Sequence, residues 1–150
     1  MGTTLRILIA DDSEDDVLMI LRELRRSGYD PVHEHVDNAE AFKAALRVPT
    51  WDVILCDYVM PQLSVEEALR LRQEKNLGVP FIVISGVFGE YIAARTIAAG
   101  AHDYIVKGDL GRLVRVIREA LREAELRRSE REGKDRKESA TRSKGASRRH

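Results

Sequence analysis

Almost nothing in this chain speaks for a covalent or membrane-borne scaffold. One cysteine, Cys56, in 150 residues leaves no partner for an internal disulfide and fits a reducing compartment. Set inside an apolar run, it reads as a small core residue. No stretch approaches the roughly 18 apolar residues of a membrane helix, and the first residues lack the basic-then-apolar order of a secretion signal. A cytoplasmic protein without a membrane partner is therefore expected. Hairpin turns of two residues, metal-finger spacings, internal repeats and a glycine-rich loop after the first apolar run are all missing, which counts against antiparallel β folds, zinc modules, solenoids and flavin or nucleotide binders. Net charge is missing too, since 25 Lys and Arg balance 25 Asp and Glu. That zero hides an asymmetry. Residues 129–150 carry 8 basic and 4 acidic side chains, so 1–128 are acidic by 4. An acidic body argues against a nucleic-acid groove across the folded part. The basic end could touch nucleic acid or anionic lipid, but its Ser, Gly and Lys content reads first as a disordered tail or linker.

Five short apolar runs alternate with helical patterns. Leu5–Ala10 stops at Asp11-Asp12-Ser13. From Glu14 the period becomes helical, with Val17, Leu18, Leu21 and Leu24 on one face until Ser27-Gly28. Pro31–Val36 reads as an edge strand with polar alternate positions. Asn38 caps a helix through Leu46, which Pro49 ends. Val53–Cys56 is an unbroken apolar run suited to a central strand. Ser64-Val65-Glu66-Glu67 has capping-box spacing and opens a helix to Gly78. Pro80–Ser85 is a fourth strand, Glu90–Ala99 a helix closed by Gly100, and Ala101–Val106 a fifth strand. Asp109 caps a last helix with Leu110, Leu113, Val114, Ile117, Leu121 and Ala124 inward, and order is expected to end at Gly133. Crossovers long enough for helices imply an α/β fold, a five-stranded parallel sheet with helices on both faces. The folded domain is expected over 1–128, with 129–150 as the tail.

Ligands bind outside the carboxyl ends of such strands. Asp11 and Asp12 follow the first strand, Asp57 and the Pro61 loop follow the third, Ser85 the fourth and Lys107 the fifth. Three crowded carboxylates repel, and a hard divalent cation such as Mg2+ relieves that. The expected ligands are Asp12, Asp57 and the backbone carbonyl of Val59, with Asp11 acting through a water. Lys107 and the Ser85 hydroxyl then suit phosphoryl oxygens, and Asp57 suits the role of phosphoacceptor.

These residues, with Met60-Pro61, Ser85-Gly86, Gly100-Ala101 and Asp103-Tyr104, resemble the CheY-like receiver domain of the bacterial two-component response regulators over about 4–126. The resemblance implies a flavodoxin-like strand order 2-1-3-4-5 and a phosphoprotein in a phosphorelay. It implies phosphorylation on Asp57 by a histidine kinase or phosphotransfer protein. It further implies that Ser85 and Tyr104 act as switch residues, remodelling the face of helix 4, strand 5 and helix 5 for a downstream effector protein or a homodimer. Two departures stand out. Ser64-Val65 replaces the family's usual Asp-Gly, and Gly108 replaces the proline that often follows the lysine in a cis peptide. A trans bond is therefore expected after Lys107, because a cis bond without proline costs about 2.5–4 kcal/mol.

Two other classes use similar parts. A Mg2+-dependent phosphohydrolase would place a second Asp two residues after the nucleophile as general acid. Val59 stands there, so turnover of outside substrates is not expected. A phosphorylation-independent adaptor would not need the intact acidic set. No patterned segment for a helix-turn-helix output follows the domain, and the residues do not say whether the chain acts alone or within a longer protein.

Overall fold

The computed structural model describes the backbone over residues 2–48, 50–75, 78–87 and 89–148, and side chains within these segments through Gly133. Five strands run β1 Thr3–Ala10, β2 Tyr29–Val36, β3 Val53–Asp57, β4 Phe81–Ser85 and β5 Asp103–Val106. They form one sheet in the order β2-β1-β3-β4-β5, and every pairing is parallel. The helices between them are α1 Glu14–Arg26, α2 Ala39–Ala45, α3 Val65–Glu74 and α4 Glu90–Ala98, with α5 Leu110–Arg148 closing the chain.

Alternation along the strands sorts the core into two layers. Ile7, Ile9, Val53, Leu55, Ile82 and Ile84 pack on one face with Val17 and Leu24 of α1 and Leu113 and Ile117 of α5. Leu8, Ile54, Cys56, Phe81 and Val83 pack on the other with Phe42 of α2 and Leu69 of α3. Central strands buried on both faces must be apolar at every position, so β3 and β4 carry no solvent-facing residue. The edge strand β2 is exposed at most positions, as its alternation of polar side chains requires.

Caps set the helix starts. Ser13, Asn38 and Ser64 each accept a hydrogen bond from the backbone N–H three residues on, and Asp109 Oδ1 accepts one from Arg112 N at 3.2 Å. Gly28 and Gly100 hold φ of +95° and +117° at the turns into β2 and β5, where a side chain would be strained. No cis peptide bond occurs among the described residues, in keeping with the trans bond expected at Lys107-Gly108.

Several expectations need correction. Leu18 is 56% exposed and Ile20 takes the inward place, because Ile20, Leu21 and Leu24 match the 3.6-residue period better than Leu18 does. α3 is capped at Lys75, short of Gly78. The proposed stop at Pro49 lies outside the described residues. The helical backbone of α5 runs on past Gly133 to Arg148. Residues 134–148 hold three Arg, three Lys and no proline, so nothing there forbids a helical backbone once a packed start has nucleated it.

Candidate functional site

The carboxyl ends of β1, β3 and β5 meet at one place. Strand register sets Ala10 beside Cys56, so the next residues, Asp11 and Asp57, emerge as neighbours. Asp11 is fully buried and Asp57 is 4% exposed, while Asp12 is exposed. One oxygen from each of these three carboxylates lies within 4.8 Å of the others.

Lys107, one residue beyond β5, reaches across the sheet edge into this group. Its Nζ lies 3.0 Å from Asp57 Oδ2 and 3.0 Å from Asp11 Oδ2. It also donates a hydrogen bond to Asp16 Oδ2 at 2.6 Å. Asp16 was not anticipated from the sequence. The signal available was its place in the first turn of α1, one turn past the strand end that carries Asp11 and Asp12. Its backbone N–H bonds the Ser13 cap, which ties its position to the same loop.

Burial pushes the Lys107 ammonium down, but its contacts with Asp16, Asp11 and Asp57 outweigh this and hold it above an ordinary lysine value. Asp57 moves the other way. Burial raises its carboxyl above the usual range, opposed by the hydrogen bonds from Lys107 and from the Val59 N–H, and the neighbouring Asp11 raises it further. The Val59 N–H donates to Asp57 Oδ1 at 3.2 Å, so both carboxylate oxygens of Asp57 are engaged.

Four carboxylates therefore face one ammonium. The surplus of negative charge is partly buried, and Asp11 Oδ2 accepts no aligned hydrogen bond although Lys107 Nζ lies within ion-pair distance. A buried oxygen left in that condition costs free energy. A hard cation bound by oxygen donors would relieve it, so the residues present fit Mg2+.

Ser85 is buried at the end of β4, and its Oγ accepts a hydrogen bond from Val87 N at 3.2 Å. Tyr104 on β5 is buried as well, and its hydroxyl donates to the Val87 carbonyl at 2.7 Å. Both expected switch residues are thus tied to one short loop between β4 and α4. That link was not visible in the sequence, because it depends on β4 and β5 being neighbours. Val59 is 61% exposed and stands beside the carboxylates, as its N–H contact shows. Ser64 caps α3 and Val65 is buried beneath it, so the departure from Asp-Gly leaves a well-formed helix start. Cys56 is buried, and burial raises its thiol well above the ordinary value, which makes it inert as a nucleophile. On the edge strand, His35 Nε2 lies 2.6 Å from the Asp11 carbonyl. It buttresses the β1 end rather than joining a histidine metal site.

Comparison with known proteins agrees with this geometry. The family model described as "Response regulator receiver domain" matches residues 7–118. The alkaline phosphatase synthesis transcriptional regulatory protein PhoP of Bacillus subtilis is 34% identical over 103 residues, covering 68% of this chain and 42% of that protein. A chemotaxis protein CheY homolog of Campylobacter jejuni is 29% identical over 105 residues, covering 69% of this chain and 81% of that protein. Among solved structures, FixJ-N superposes with a TM-score of 0.68 at 27% identity, covering 79% of this chain and 94% of that one. The chain spans less than half the length of the transcriptional regulators it matches. With the acidic pair, the strand-end Asp57 and Lys107 assembled at one sheet edge and the family model spanning most of the sequence, this chain belongs to the response regulator receiver domain family.

Proposed function

We propose that the chain is a phosphorylation switch of a two-component phosphorelay in which Asp57 is the phosphoacceptor. The observation carrying this reading is the contact of Lys107 Nζ with Asp57 Oδ2 at 3.0 Å beside the cluster of Asp11, Asp12 and Asp57. A carboxylate oxygen of Asp57 attacks the phosphorus of a phosphohistidine on a histidine kinase or phosphotransfer protein. The new bond is P–O, the P–N bond breaks, and the imidazole leaves with the electron pair. Asp12, Asp57 and the Val59 carbonyl would hold Mg2+, with Asp11 acting through a water, and the ion would supply charge neutralisation to the phosphoryl oxygens. Lys107 transfers one of its carboxylate contacts to a phosphoryl oxygen, and the Ser85 hydroxyl turns from the Val87 N–H to donate to another.

Ser85 and Tyr104 both hold the loop at Val87, so moving one releases a constraint on the other. That coupling supports a signal passed to the face of α4, β5 and α5. The face carries Val87, Tyr91 and Ile97 exposed at 67%, 78% and 47%, an apolar surface suited to an effector protein or a second copy of the chain. Receiver domains are signalling modules. The absence of a general acid at Val59 supports a protein that aids its own phosphorylation and dephosphorylation without turning over outside substrates. Cytoplasmic location is part of the same proposal. Among the described residues, no helix is long and apolar enough to cross a membrane.

The test is incubation with Mg2+ and a small phosphodonor, read by intact mass. Wild type is expected to gain one phosphoryl group and Asp57→Asn none. Equal labelling of the two, or none in wild type, overturns the assignment.

A further inference from the structure

The edge of the sheet opposite Asp57 also carries a cavity. At the amino ends of β3, β4 and β5, one strand length away from Asp57, lies a cavity of about 580 Å³, within the size range of small-molecule sites. Its composition follows from α5. The inward stripe of that helix runs through Leu113, Ile117 and Ala120, then Leu121 and Ala124. Further along the helix come Arg127, Arg128 and Arg131, all exposed. These arginines line the cavity, and Arg72 of α3 lines it from the other side.

Bringing guanidinium groups together is unfavourable without a counter-charge. The Arg72 guanidinium is held below an ordinary arginine value, first by burial and then by the charge of Arg127. Its Nε is fixed by donating to the Val79 carbonyl at 2.7 Å. One carboxylate, Asp52, lines the cavity against four arginines, so the lining stays positive. Asp52, in the cavity wall, already accepts the Arg6 N–H at 2.8 Å, and Glu123 lies 3.5 Å from His102. Among the described residues, Arg72, Arg127, Arg128 and Arg131 make no ion pair. Trp51 and Leu121 add apolar surface to the same cavity.

We propose that this cavity binds an oligophosphate chain, as carried by a nucleoside triphosphate or by inorganic polyphosphate. Planar guanidinium forks match phosphate oxygens in pairs, and four of them converge here from two helices. Occupancy would tie α5 to α3 at the end of the domain opposite the phosphoacceptor. The amino edge would then read a small anion independently of the carboxyl edge.

Trp51 is the only tryptophan in the chain and lines this cavity, so its fluorescence is a local probe of binding there. The full chain, without Mg2+, is titrated with inorganic tripolyphosphate. Wild type is expected to give a saturable fluorescence change whose midpoint rises with salt. The midpoint should rise about tenfold or more in Arg127→Gln/Arg131→Gln. It should stay unchanged in Asp57→Asn and in the outward-facing control Arg115→Gln/Arg122→Gln. No saturable change in wild type, or equal midpoints in wild type and the Arg127→Gln/Arg131→Gln variant, overturns the proposal. A parallel titration with ATP separates the two sources. A much lower midpoint than for tripolyphosphate assigns a nucleotide, and equal midpoints assign the phosphate chain itself.

Discussion

Burial works against the charged form of Asp57. Its carboxyl is raised above the ordinary range mainly by burial. A raised acid binds its proton more readily folded than unfolded, so its contribution to stability is full below the unfolded value, near 3.9, and is lost as pH rises through the folded value. Asp57→Asn removes this titration while leaving Lys107 its contacts with Asp11 and Asp16. The variant is expected to melt at a higher temperature than wild type at neutral pH, with the gap narrowing as pH falls towards 4. Thermal melts across pH check this, and a gap that stays constant or widens on acidification would contradict it. That Asp11, Asp12, Asp57, Ser85 and Lys107 gather at one edge was readable because each stands at or just past the end of an apolar strand. Asp16 was not. Its role depends on where α1 leans against the end of β5, and that is a distance between elements.

α5 divides into two parts that should respond differently to change. Ile117 is fully buried between α5 and the sheet, and Ile117→Ala should cost about 2–5 kcal/mol through lost burial and the cavity left behind. Past Ala124 the stripe turns basic and Leu126 is 57% exposed. Ending the chain after Gly133 should therefore lower the helical signal in circular dichroism while moving the melting temperature by only about 2 °C. A larger drop would mean that the distal helix packs on the body. Helix starts were legible because Ser13, Asn38, Ser64 and Asp109 are chemically suited to cap. The end of α5 was not, because Gly133 carries a helix penalty of only about 1 kcal/mol, which a long flanking helix absorbs.

For the molecule as a whole, the acidic cluster is expected to make stability depend on a divalent ion. Four carboxylates against one lysine leave charge that a divalent ion can neutralise, so Mg2+ should raise the melting temperature, by about 2.7 kcal/mol of stability at a hundredfold excess over Kd and further as the ion is increased. A chelator should reverse the gain, and Asp12→Asn should blunt it. A gain from Mg2+ that survives in Asp12→Asn/Asp57→Asn would place the ion elsewhere. Alternating strand and helix periods, by themselves, determined the α/β class, the parallel sheet and the edge on which chemistry sits, because side-chain periodicity and the length of crossovers are local properties. Only the tertiary structure decided that Lys107 bridges three carboxylates and that Ser85 and Tyr104 share the Val87 loop. It also decided that the α5 arginines converge on Arg72. Each of those depends on which strands and helices become neighbours, and a distance across the sheet is not encoded in any one segment.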